Sequence, residues 1–236
     1  LRALCILHDA FATTGLMGAA LRARGWEVDE LTIVPAELYG TPDVEFAFPD
    51  RRDYDLIVPM GAPWAANDDA AIGTWLTPEL GWLRQIVDEG GAVFGICFGA
   101  QALARALGGS VARSPRPEIG WTVIEPEPES GGIVEAGPWF QWHFDAFTPP
   151  PGATVLAGNE AAVQAYRIGR SLGVQFHPEV TAVDINLWLD NGGEAQARSL
   201  GIDPADLLAE AARQQDDARA RTEALTDAYL DKVFAA

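Results

Sequence analysis

The run Ala92-Val93-Phe94-Gly95-Ile96-Cys97-Phe98-Gly99-Ala100-Gln101 passes from an apolar strand straight into a helix-forming stretch, with a glycine two residues to either side of the cysteine. This is the sequence form of a nucleophile elbow. The glycines leave room for strand and helix to approach closely, and the residue on the turn stands exposed at the carboxyl end of the sheet. Cys97 is therefore a candidate nucleophile. The amide of Phe98, first in the new helix, points where an oxyanion would form. A cysteine in an apolar run has a second reading, as a small buried hydrophobe.

The segments around the elbow repeat its strand-to-helix order. Strands are expected at Ala3 to Leu7, Val28 to Val34, Leu56 to Met60 and Ala92 to Ile96, with helices near Gly15 to Arg24, Pro78 to Asp88 and Ala100 to Leu107. Short buried strands alternating with helices predict an α/β fold, a mostly parallel sheet with helices on both faces. The site is expected at the strands' carboxyl ends. From Val111 to Phe176 the pattern changes to shorter, turn-separated strands (Thr122 to Ile124, Phe140 to His143, Thr154 to Ala157, Val163 to Ile168), which predicts a small antiparallel section. Pro35 to Asp53 reads as a loop that covers the site, and Pro126 to Gly132 as another loop.

Beyond Val180 the chain turns helical. Asp203-Pro204 is a helix start, and Leu207, Leu208, Ala211, Ala218, Leu225, Tyr229 and Val233 form an apolar stripe for packing against the domain. The expected division is residues 1–190 as one domain and 191–236 as a helical C-terminal extension packed on it.

A second chemical signal lies in Gly173-Val174-Gln175-Phe176-His177-Pro178-Glu179, where an apolar strand ends in His-Pro-Glu. A thiol near its free pKa is only partly ionised at neutral pH, so an imidazole must take its proton and later return it to a leaving amine. His177 is suited to that task. Glu179, two residues on across a rigid proline, is suited to holding the ring's tautomer and supporting its positive charge. Taken singly, His177 also reads as a surface-loop histidine and Glu179 as a solvated carboxylate.

With these motifs in place the chain resembles the class I (triad type) glutamine amidotransferases, in particular the free-standing group similar to the amidotransferase domain of GMP synthetase. The resemblance runs from Leu56 to about Val180. Its motifs occur in order: Gly61-Ala62-Pro63, the Cys97 elbow with Gln101, Glu118-Ile119-Gly120-Trp121, Trp142-His143-Phe144-Asp145, Gln164-Ala165-Tyr166-Arg167, and Gln175 to Val180. It implies that Cys97 attacks the side-chain amide of glutamine, giving a γ-glutamyl thioester and ammonia, and that water then releases glutamate. His177 is then base and acid, Glu179 its orienter, and Gln101 a contact to glutamine. Trp142 and His143 are implied to lie in the substrate pocket.

The resemblance also implies an oxyanion hole completed by the Gly61-Ala62 loop beside Phe98. The family has Gly-Gly-Pro where this chain has Gly61-Ala62-Pro63. An alanine at positive φ would cost about a kcal/mol that glycine avoids, and a residue before proline is held extended, so Ala62 is expected to keep a negative φ while its amide still donates.

Composition sets the outer bounds. A chain of 236 residues that is 48% hydrophobic can bury one full α/β core. Its charge of −18, from 34 acidic against 16 basic residues, argues against nucleic-acid and anionic membrane partners. Neither an amino-terminal signal nor a long apolar run is seen, and a cytoplasmic location is expected. Cys5, inside Leu4-Cys5-Ile6-Leu7, reads as core. With three histidines (His8, His143 and His177) and no clustered cysteines, no metal and no cofactor are expected. No phosphate-loop signature accompanies the motifs. The ammonia would therefore pass to a partner synthetase. An independent γ-glutamyl hydrolase or peptidase is the alternative, and a non-catalytic binding module a third.

Overall fold

Strands β1 (Arg2–Asp9), β2 (Glu27–Val34), β3 (Leu56–Pro59), β4 (Ala92–Ile96), β5 (Ser110–Pro126), β6 (Gly137–Thr148), β7 (Thr154–Gly158), β8 (Val163–Ile168) and β9 (Ser171–Val174) form a sheet in the computed structural model, which describes residues 1–234. Their order is β2-β1-β3-β4-β9-β8-β7-β5-β6. From β2 to β9 neighbouring strands run parallel; from β9 to β6 they run antiparallel. The parallel half is the βα alternation legible in the sequence. The antiparallel half brings β9 back beside β4, so the chain following it ends next to Cys97.

Helices α1 (Gly15–Ala23), α2 (Asp69–Asp88), α3 (Phe98–Ala106), α4 (Ala182–Trp188), α5 (Glu194–Ser199) and α6 (Pro204–Phe234) cover the sheet. Both faces of the parallel strands are dry. Ala3, Cys5 and Leu7 of β1 join a cluster with Met17 and Leu21 of α1 and Leu225 and Tyr229 of α6. The alternating Leu4 and Ile6 join a second cluster with Trp75 and Leu83 of α2 and Leu103 of α3. This period-2 division between two apolar layers is what near-continuous apolar strands require. A third cluster, including Ile119, Phe140, Ile185 and Leu207, seats α4 and α6 on the antiparallel half.

Helix α2 begins nine residues before Pro78, the expected start. Asp68 caps it, its side chain accepting from the Ala71 amide, and buried Ile72, Trp75 and Leu76 hold the turns ahead of the proline. One missing backbone bond at Pro78 is offset by that burial. The segment from Val111 is likewise longer than expected. β5 runs for 17 residues and pairs with β6 on either side of a register shift between Arg113 and Glu118. Pro115 and Pro117, which read as strand breakers, sit within that shift, where a missing N–H interrupts no regular ladder.

The segment between β2 and β3 contains 3₁₀ turns at Ala36–Leu38 and Arg51–Asp53. Trp75 and Trp82 of α2 donate their indole N–H groups to the carbonyls of Pro42 and Pro49 at 2.8 and 3.2 Å. The loop is thereby pinned to α2, and Tyr39 reaches the cavity described below. In α6 the buried face includes Leu207, Ala211, Ala218, Leu225 and Tyr229, with Thr222 and Thr226 filling the gap in the apolar stripe. Among the described residues no helix is long and apolar enough to cross a membrane.

Candidate active site

Cys97 sits between β4 and α3 at φ 49° and ψ −105°, and it is the one non-glycine residue at positive φ among the described residues. The surrounding packing holds that strained geometry. A Cβ on Gly95 would fall 2.7 Å from the Gly99 carbonyl, and one on Gly99 only 2.0 Å from the Pro59 carbonyl oxygen. Only glycines permit this contact between β3, β4 and α3. The Cys97 amide donates to Val174 O at 2.8 Å, tying the elbow to the end of β9.

Three residues beyond Val174 lies His177, whose amide donates to Phe140 O of β6 at 2.8 Å. Its Nδ1 pairs with Glu179 Oε1 at 2.7 Å, and both side chains are buried. His177 Nε2 and Glu179 Oε2 have no hydrogen-bond partner among the described residues. Buried polar atoms are seldom left so, and these two mark a place for a reacting group. Burial by itself would lower the His177 pKa, but the charges of Glu179 and Cys97 outweigh it and hold the imidazolium well above its ordinary range.

The Cys97 sulfur touches two further groups. It donates to Trp142 O at 3.8 Å and accepts from Gln175 Nε2 at 3.5 Å. Gln175 Oε1 in turn accepts from Gln101 Nε2, which also donates to Asp145 O. The carbonyl of Asp145 meets His143 Nδ1, and His143 Nε2 meets Glu118 Oε2 at 3.0 Å. Asn159 and Gln164 donate to the remaining Glu118 lone pairs. A continuous polar chain thus runs from the nucleophile into the antiparallel half of the sheet. The carboxylate orienting His143 is Glu118, whereas the sequence pointed to Asp145, which contributes only its carbonyl.

Ala62 keeps a negative φ, as expected for the residue before Pro63. Neither its amide nor that of Phe98 donates to an acceptor among the described residues. Gly61 lies against the imidazole, and its carbonyl meets His8 Nδ1 at 3.3 Å. His8, which read as a loop histidine near the substrate, is wholly buried and paired with buried Glu79 at 3.0 Å. It braces the Gly61 loop from behind.

One cavity of about 270 Å³ gathers Gly61, Ala62, Cys97, Phe98, Gln101, Trp142, His143, His177 and Glu179. Every site residue singled out in the sequence lines it. Sequence reasoning missed the wall formed by Trp188, Asn191 and Gln196. The Trp188 ring stands 5.0 Å from that of His177, edge to face, and Gln196 accepts from the Trp142 indole at 2.7 Å. No local pattern around Trp188 carries that information, because its place depends on how α4 docks. Residues beyond 190 therefore contribute to the cavity. Among the described residues no group of three or more His, Cys, Asp or Glu side chains is arranged to hold a metal ion.

A model of the family glutamine amidotransferase class-I matches residues 20–186 of the chain. The chain is 34% identical over 139 residues to the free-standing glutamine-hydrolyzing subunit of GMP synthase from Ignicoccus hospitalis, a match covering 56% of this chain and 70% of that protein. It is 38% identical over 128 residues to GMP synthase (glutamine-hydrolyzing) of Aeropyrum pernix, covering 51% of this chain but only 22% of the length of that protein. Among solved structures, a glutamine amidotransferase from Thermotoga maritima superposes with a TM-score of 0.82 at 27% identity, covering 98% of both chains. A glutamine amidotransferase from Methylobacillus flagellatus gives a TM-score of 0.83 at 25% identity, over 98% of this chain and 95% of that one.

Proposed function

The chain belongs to the class-I glutamine amidotransferases, and we propose that it hydrolyses the side-chain amide of glutamine and delivers ammonia to a partner synthetase that activates the acceptor. The observation that carries this reading is the junction of a strained Cys97 with a His177–Glu179 pair whose Nε2 is unpartnered in the same cavity. The GMP synthase relatives are described as glutamine-hydrolyzing, which supports glutamine as the amide and a synthetase as the ammonia acceptor.

His177 Nε2 takes the Cys97 thiol proton, and the sulfur attacks the amide carbon. The unpaired amides of Ala62 and Phe98 are suited to receive the developing oxyanion. As the C–N bond breaks, the imidazolium returns the proton to the leaving nitrogen, and ammonia departs. Water, deprotonated by His177, then opens the γ-glutamyl thioester to give glutamate and free Cys97. Glu179 holds the tautomer and balances the imidazolium charge. Gln175 Nε2 faces the sulfur as a donor and stabilises its thiolate.

The test is glutamate release from L-glutamine by the purified protein, alone and with an ammonia-accepting synthetase, beside a panel of γ-glutamyl dipeptides. Cys97→Ala is expected to abolish release, and His177→Ala to slow it by several orders of magnitude. Near-normal turnover by Cys97→Ala would overturn the covalent mechanism. Cysteine-dependent cleavage of dipeptides with glutamine poor would replace the synthetase-coupled role with independent γ-glutamyl hydrolysis.

A further inference from the structure

Asp9 ends β1 at the same sheet edge as Cys97 and lines the same cavity, yet the acyl-transfer mechanism does not use it. It is 6% exposed. Its Oδ1 accepts from the Phe11 amide at 2.7 Å. No Arg or Lys nitrogen among the described residues lies within ion-pair reach of the carboxylate. Burial raises its pKa, offset in part by the Phe11 amide and by His8. An acidic group held in a cavity without a cation of its own is costly unless a ligand supplies one.

The walls beside Asp9 are aromatic. Phe11 and Tyr39 meet edge to face at 5.1 Å, Tyr39 and Trp64 lie 5.7 Å apart, and all three rings line the cavity. Asp9 raises the pKa of the Tyr39 phenol, after burial, which places the carboxylate close to that ring. A carboxylate flanked by aromatic faces is the chemistry that recognises an ammonium group.

Sheet order sets the side and the span. Gln101, Trp142 and His143 approach Cys97 from the antiparallel half, whereas Asp9 lies on the opposite side, two strands from β4 across β3. At about 4.8 Å per strand, Asp9 is roughly 10 Å from the nucleophile. If the glutamyl half faces Gln101, the leaving amine faces Asp9. Five staggered bonds of about 1.5 Å reach roughly 6 Å beyond an amide nitrogen, which carries a terminal ammonium on a four-carbon chain to that depth.

We infer that Asp9, Phe11, Tyr39 and Trp64 form a subsite for a primary ammonium group on the leaving amine, giving the enzyme a further activity on γ-glutamyl amides of aliphatic diamines. The inference rests on the acyl-transfer reading of Cys97 and His177. In this reaction the sulfur–carbon bond forms as the amide C–N bond breaks, the diamine leaves with the proton carried by His177, and water releases glutamate. No other reactant is needed.

The subsite is tested apart from turnover, by calorimetric binding to Cys97→Ala. The probes are the γ-glutamyl amide of 1,4-diaminobutane and that of n-pentylamine, in which a methyl replaces the ammonium. The diamine amide is expected to bind at least tenfold tighter, and Asp9→Asn, which keeps the acceptor for the Phe11 amide, to remove that preference. Trp64→Leu is expected to weaken the diamine amide selectively. A third probe, the glutaric acid monoamide of 1,4-diaminobutane, lacks the α-ammonium of the glutamyl half. Retained dependence on Asp9 assigns the subsite to the leaving amine, and its loss would overturn that assignment. Equal binding of the charged and neutral amides would overturn the subsite itself. Cleavage by the Cys97 enzyme is then measured separately: preferential binding without cysteine-dependent cleavage would leave the subsite standing and refute both the further activity and the acyl-transfer reading.

Discussion

Thr222 Oγ1 donates to Pro178 O at 2.6 Å, so the long C-terminal helix grips the peptide between His177 and Glu179. Both partners lie out of solvent, and Leu16 N of α1 holds the adjoining Glu179 carbonyl at 2.7 Å. The turn that presents the imidazole is thus clamped from two helices.

Thr222→Val keeps the shape and removes the donor, leaving a buried carbonyl without its bond. The expected cost is about 1–3 kcal/mol of stability, read as a lowered Tm, with kcat falling more than KM changes because His177 loses its seat. Thr222→Ser should restore both. A loss of stability with kcat unchanged would confine Thr222 to a structural part.

Gly61 is a second point of close approach. A Cβ there would lie 2.9 Å from His177 Cε1 and 4.0 Å from Cys97 Cβ. Its φ is not positive, so alanine meets no backbone strain and acts through the imidazole alone. Gly61→Ala is expected to lower kcat by about a hundredfold, the scale of a 1 Å misplacement, with Tm little changed. Glutaminase kinetics beside thermal melting would show it, and unaltered kcat would mean that the ring has room to move.

The two cysteines should separate by reactivity. Cys5 is wholly buried, and burial pushes its thiol up to about 12. Cys97 has an imidazolium neighbour and a donor on its sulfur. Iodoacetamide at pH 7 should therefore alkylate Cys97 alone in the folded protein, as peptide mapping would reveal. Labelling of Cys5 at a comparable rate would contradict the packing around β1.

For His177 the sign of the pH effect follows from the direction of its shift. A pKa held above the ordinary value keeps the ring protonated, and able to donate to the leaving nitrogen, into alkaline pH. Glu179 is the largest influence raising it. Glu179→Gln removes that charge and lowers the pKa, so the alkaline limb of kcat should move to lower pH while the maximum falls. An unmoved limb in the pH–rate profile would show that Glu179 does not set the imidazole's charge.

The parallel half of the fold is legible residue by residue, because β1, β3 and β4 are buried on both faces and carry their apolar character whole. The elbow is equally legible, since its glycines are demanded by contacts with the adjoining strand and helix. α2 is a different case: Pro78 suggests a start that the burial of Trp75 and Leu76 overrides. The length of β5 was hidden in the same way, with Pro115 and Pro117 absorbed into a register shift opposite β6.

By itself the amino-acid sequence determined the α/β class, the elbow at Cys97 and the His177-Pro178-Glu179 turn, since each rests on local spacing and backbone preference. Tertiary structure alone decided that Gln175 faces the sulfur, that Glu118 orients His143, that Thr222 holds the catalytic turn and that Trp188 walls the cavity. Those relationships join residues tens of positions apart. They exist only once strand order and helix docking bring the groups within hydrogen-bond or van der Waals range, where directional forces a few ångströms long begin to act.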